Sequence, residues 1–209
     1  MTLSLILLYV VTLVYLSITE RFRNYANLIA LQGWILLAVA LLRLHSIHLF
    51  DLLFVLIETL VFKALVVPMI LRRIIRKTKI NRVYNSGESQ FNSLAGSVAA
   101  LIASIGITYY IADTSMNVIF FGVALYALLS GLILITTRRR IFSHLVGFLV
   151  IENGVFLFSM AIGAEMPSLI NIAILLDILI SVLMLGMFIT RIGDRLHSDD
   201  SERLTTIKD

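Results

Sequence analysis

The sequence predicts an all-α membrane protein: seven transmembrane helices, with the N-terminus outside and the C-terminus cytoplasmic. Three observations carry that prediction. The 209-residue chain is 59% hydrophobic and only 14% charged, and its mean hydropathy is +0.98, whereas soluble domains carry about 45–50% apolar and about 25% charged residues. Its apolar residues fall in uninterrupted runs of about 20, the length that crosses a bilayer as a helix. Its basic residues crowd into alternate connections. These features exclude a water-soluble globule, a disordered tail and a nucleic-acid module. With no cysteine in the chain, disulfides, thiolate nucleophiles and cysteine-held zinc or iron–sulfur centres are excluded as well.

The runs lie at about 3–19, 26–42, 49–71, 94–112, 116–137, 142–163 and 167–190. A transmembrane barrel would show apolar–polar alternation over about ten residues. Stretches such as Leu5-Ile6-Leu7-Leu8-Tyr9-Val10-Val11 are apolar on every side, so they read as helices. The first run has no basic flank and no Ala-x-Ala-like cleavage site, so it reads as a span and not as a removable signal. Fifteen Lys and Arg fall on one side: Arg21 and Arg23, six between Arg72 and Arg82, Arg138 to Arg140, and four in the tail. Arg43 alone falls on the other side, and Lys63 lies within a span. That asymmetry sets the orientation and accounts for the pI of 9.6 without a nucleic-acid partner.

The chain divides into a three-helix unit over 1–71, a basic and polar cytoplasmic loop over 72–93, a four-helix unit over 94–190 and a cytoplasmic tail over 191–209. The outside connections are a few residues long, leaving no room for an enzyme domain. Small residues mark close helix contacts: Gly96, Ala100 and Ser104 in one row, Ala95, Ala99 and Ala103 in another, and Ala127 with Gly131.

Four ionisable residues fall inside spans: Glu58 and Lys63 in the third, Glu152 in the sixth and Asp177 in the seventh. Each costs about 2.5–3.5 kcal/mol at mid-membrane, so four together cost on the order of 10 kcal/mol unless compensated. Desolvation brings carboxyl and ammonium pKa values toward each other, which suits such a set to a proton relay. Their alternative role is a set of interhelical hydrogen bonds or an internal ion pair. Asp51 shares a helix face with Glu58, seven residues on. It is a proton-access or interface position, as is His144 at the mouth of the sixth span. Pro68 leaves the Ala64 carbonyl without its helical bond, which either loosens the helix beside Lys63 or gives a plain bend near its cytoplasmic end. His45 and His48 form no visible metal set, and the last span lacks the lysine that a retinal protein requires.

Three stretches resemble a known family. They are Phe62-Lys63-Ala64-Leu65-Val66-Val67-Pro68-Met69, Gly147-Phe148 followed by Glu152-Asn153-Gly154, and the closing Leu204-Thr205-Thr206-Ile207-Lys208-Asp209. Taken in order, and with the chain length and predicted span count, they resemble component E of the hydrogenase-4 type, a membrane subunit of group 4 nickel–iron hydrogenases and formate hydrogenlyases. The last three spans, over 116–190, are also similar to the small K-type component of respiratory complex I and the small C-type component of Mrp antiporters. In the K-type family the first acid follows the glycine by two residues, whereas Glu152 follows Gly147 by five.

The resemblance implies a subunit without an active site of its own in a bacterial or archaeal cell membrane. It implies antiporter-like partner subunits, and a nickel–iron site and iron–sulfur clusters on partners, with no cofactor on this chain. It also implies a proton path through Glu152 and Asp177, tuned or continued by Lys63 and Glu58. Two other functions fit the composition: a self-contained proton-coupled transporter and a structural scaffold within a membrane complex. The short outside loops and the lack of an internal repeat disfavour the transporter.

Overall fold

The computed structural model describes residues 1–19, 21–43, 63–78, 90–111, 116–138 and 141–162. These form six α-helices: α1 (Thr2–Ile18), α2 (Phe22–Arg43), α3 (Val67–Thr78), α4 (Gln90–Ile111), α5 (Val118–Thr137) and α6 (Ile141–Ile162). Four are long and apolar enough to cross a membrane, over Phe22–Leu42, Phe91–Ile111, Val118–Thr137 and Phe142–Ile162, and Thr2–Ile18 is a shorter apolar helix. The chain is therefore a helical protein of membrane-spanning composition. The expected span over 167–190 and the first part of the third span lie outside the described residues, and Asp51, Glu58 and Asp177 lie there with them.

One boundary differs from expectation. The segment read as a loop over 72–93 begins and ends in helix, because α3 continues to Thr78 and α4 starts at Gln90. Arg and Lys are good helix formers, and positive charge in the last turns suits the negative end of the helix dipole. The apolar stripe of α3 also runs on past the expected end. Val67, Leu71 and Ile75, at successive four-residue steps, are buried, whereas Met69, Arg72, Arg73 and Arg76 are exposed. Arg72 donates to Asn27 Oδ1 at 3.0 Å, which ties α3 to the start of α2.

The tightest packing joins α5 and α6, an antiparallel pair in which Asn117 N–H donates to the Ala161 carbonyl at 3.1 Å. Asn117 also caps α5 through its side chain, which accepts from Phe120 N–H at 3.2 Å. Gly131 and Gly147 meet across the pair. A Cβ on Gly131 would stand 2.5 Å from the Gly147 carbonyl oxygen, and one on Gly147 would stand 2.8 Å from that of Gly131. Backbone contact of this kind is what small-residue spacing in membrane helices produces. The Ala127–Gly131 spacing is thus used within the chain.

The two rows on α4 part company. Ala100 and Ser104 are buried and Gly96 sits against Ile133, whereas Ala95, Ala99 and Ala103 face outward. Ser97 and the Tyr126 hydroxyl share a hydrogen bond of 2.7 Å that links α4 to α5.

Candidate functional site

The site forms where α2, the segment leading into α3, and α6 meet. Proline at position 68 has no N–H to give, so an ordinary helix cannot run through it unbroken. The chain responds by winding Lys63–Val66 as a π-helical turn before α3 begins at Val67. Such wide turns expose backbone and recur at functional positions. This wide turn begins at Lys63 itself.

On the other side of this turn lies Gly33. A Cβ there would stand 2.8 Å from the Lys63 carbonyl oxygen and 3.1 Å from the Ala64 Cα. Glycine thus lets α2 press directly on the widened backbone.

Lys63 is 7% exposed and Glu152 is 5% exposed, so both expected charges are deeply buried. They line one cavity with Ile29, Val67, Leu149 and Asn153. Helical spacing explains the set. Leu149, Glu152, Asn153 and Phe156 fall at i, i+3, i+4 and i+7 on α6 and share a face. Ile29, Gln32 and Gly33 do the same on α2. The cavity volume is about 10 Å³, the space of roughly one water molecule.

Phe156, one turn beyond Glu152, receives the lysine: Lys63 Nζ lies 4.7 Å from its ring centroid. An ammonium over an aromatic face is attracted by the ring quadrupole, most strongly away from water. Burial of this positive charge is thereby partly offset.

Behind the cavity runs a chain of buried polar groups. Asn153 Nδ2 donates to Gln32 Oε1 at 3.3 Å. Gln32 Nε2 donates to Thr12 Oγ1 at 3.1 Å, and the Thr12 hydroxyl donates to the Tyr9 carbonyl at 2.6 Å. Gln32 is fully buried, and Thr12 and Asn153 are nearly so. Three helices, α1, α2 and α6, are joined by this one line of hydrogen bonds.

His144 is placed elsewhere. It is half-buried near the start of α6, where its Nε2 pairs with the Arg138 carbonyl at the end of α5. His144 does not line the cavity. Arg138 itself is 3% exposed. Its guanidinium donates to the Ser17 carbonyl at 3.0 Å and to Ser93 Oγ at 2.9 Å, tying α5 to α1 and α4.

Of the residues that the sequence singles out, Lys63 and Glu152 line one cavity and Pro68 follows the wide turn. Sequence reasoning passed over Thr12, Gln32, Gly33 and Phe156. Gln32 carried a usable signal, an amide in the middle of an apolar run, where an unpaired polar group is costly. The sequence marks Arg138 only as one of three successive arginines, with nothing to single it out as the buried one.

Comparison with known proteins adds little beyond likeness. The chain is 26% identical over 190 residues to a protein of Mycobacterium tuberculosis named "Uncharacterized protein Rv0085", spanning 90% of this chain and 86% of that one. No family model matches the chain, and no solved structure matches it.

Proposed function

We propose that this chain is a non-catalytic membrane-arm subunit of a hydrogenase-4 or formate hydrogenlyase-like assembly related to complex I, in a bacterial or archaeal cell membrane. In this reading it spans the membrane seven times, with its N-terminus outside, and binds antiporter-like subunits. Nickel, iron and iron–sulfur chemistry belong to partner chains. Its own contribution is part of the lateral proton path, through Glu152 and Asp177, with Lys63 and Glu58 tuning or continuing it.

One observation supports this most directly. The lysine-to-proline segment and the Glu-Asn-Gly element, two of the three stretches that carry the resemblance, line one buried cavity through Lys63, Glu152 and Asn153. A carboxyl and an amine around space for a single water suit short-range proton exchange, in which the charge of one group biases the protonation of the other.

The test is affinity purification from native membranes in mild detergent, with partner identification and nickel and iron analysis. Co-purification with antiporter-like chains and a nickel-bearing iron–sulfur module is the expected result. A stable chain without partners overturns the reading in favour of a self-contained transporter. In the assembled complex, Glu152→Gln is expected to lower proton translocation at least about tenfold while insertion and assembly persist. Unchanged translocation removes Glu152 from the path.

A further inference from the structure

The outer surface of α2 and α3 changes character along its length. The two helices run antiparallel, since Gly33 meets Lys63 and Ala64 while Asn27 meets Arg72. Toward the middle of α2 the exposed side chains are apolar: Leu31 and Trp34, with Leu65 and Met69 on the neighbouring segment. Toward the Phe22 end they are polar and cationic. Asn27 and Arg72 are exposed there and joined by their 3.0 Å hydrogen bond. Arg23, one turn before Asn27, and Arg76, one turn after Arg72, are exposed as well. Because the helices are antiparallel, both steps lead to the same end. Helical spacing keeps Arg23, Asn27, Leu31 and Trp34 on one face of α2, and Met69, Arg72 and Arg76 on one face of α3. About 10 Å of helix separates Asn27 from Trp34.

We propose that this face binds an anionic phospholipid, with its phosphate at Arg72, Arg76 and Arg23 and an acyl chain along Met69, Leu31 and Trp34. Charge gives way to apolar surface in the same order here as along a phospholipid molecule. A guanidinium matches a phosphate in shape as well as in charge, through paired N–H donors. Neither α2 nor α3 contains an acidic residue to compete for the arginines. The Asn27 oxygen holds Arg72 in place without neutralising it. A free phosphate would use the arginines alone, and a zwitterionic lipid would bring a cationic group to a cationic surface. The site uses neither Lys63 nor Glu152, so it is independent of the relay proposed above.

The test reads Trp34, the one tryptophan of the chain, which lies on the proposed acyl path. The full-length protein is reconstituted in bilayers of phosphatidylcholine mixed with phosphatidylglycerol, with one lipid or the other brominated on its acyl chains. Bromine quenches tryptophan fluorescence on contact, so the two series give the relative affinity of each lipid beside Trp34. Phosphatidylglycerol is expected to bind about tenfold more tightly than phosphatidylcholine. Arg76→Gln, which leaves the Arg72–Asn27 bond intact, is expected to lower that preference about threefold. Arg72→Gln combined with Arg76→Gln is expected to bring the two lipids within about twofold of each other. Arg43→Gln, which removes a charge at the far end of α2, is expected to change nothing.

Equal quenching by both lipids in the parent protein overturns the proposal, as does a preference that survives the double substitution or is lost in Arg43→Gln. Quenching by neither lipid means that protein covers this face, and overturns it too. Inorganic phosphate at millimolar concentration and constant ionic strength is expected to leave the lipid in place. Displacement of phosphatidylglycerol under those conditions assigns the arginines to free phosphate instead.

Discussion

Gly33 of α2 stands directly against the carbonyl of Lys63, so closely that a methyl group there would lie 2.8 Å from that oxygen. The residue that carries the buried amine therefore has its backbone held by a neighbouring helix at the turn that Pro68 has widened. Gly33→Ala must push the two segments apart. It is expected to lower stability by about 1–3 kcal/mol, as overpacking does, and to open the cavity. Thermal unfolding of the detergent-solubilised protein, with labelling of a probe at Val67→Cys, checks both effects.

Pro68 acts on the same turn from within the chain. Pro68→Ala supplies the missing N–H and lets an ordinary helix form through Lys63–Val66. Amide hydrogen exchange over 63–68 is expected to slow by about tenfold or more as that helix closes. Exchange as fast as in the parent protein would show that the wide turn is held by Gly33 and the cavity, and not by the proline.

Phe156 and Lys63 can be tested as a pair. Lys63 Nζ lies 4.7 Å from the ring centroid, and a desolvated contact of this kind contributes about 0.5–2 kcal/mol. A double-mutant cycle with Phe156→Leu and Lys63→Met is expected to show coupling of about that size. Phe156→Trp, which keeps an aromatic face, is expected to retain it where Phe156→Leu does not. Zero coupling would mean that the ring is only packing.

Arg138 joins three helices at one end of the bundle through the Ser17 carbonyl and Ser93 Oγ. Arg138→Ala strands two buried acceptors and is expected to cost about 3 kcal/mol. Arg73→Ala, at an exposed position on α3, is expected to stay within about 0.5 kcal/mol of the parent. Comparison of the two unfolding midpoints separates a structural arginine from one that contributes only surface charge.

Much of the helical layout was legible in the residue order because each helix records its own needs locally. The runs read at 116–137 and 142–163 correspond closely to α5 and α6. The end of α3 was misjudged by about two turns, since arginines that end an apolar run do not end a helix. Glu152 and Lys63 stood out because charge within an apolar run is costly wherever its partner lies. Thr12 and Phe156 did not, since a threonine and a phenylalanine are ordinary in such helices and their importance depends on what faces them.

Sequence alone determined that this chain is helical and that its composition belongs in a membrane, and it marked Pro68 as a place where a helix bends or loosens. Each of these follows from terms local to one segment: transfer of apolar side chains, burial of charge, and a proline without an N–H. Only the tertiary structure decided that Lys63 and Glu152 share a cavity, that Phe156 receives the amine, and that Thr12 reaches Asn153 through Gln32. Those facts depend on how each helix is rotated and how closely it approaches the next. Glycines such as Gly33, Gly131 and Gly147 permit those approaches, but the residues that meet across them are far apart in the chain, and helical periodicity does not relate one helix to another.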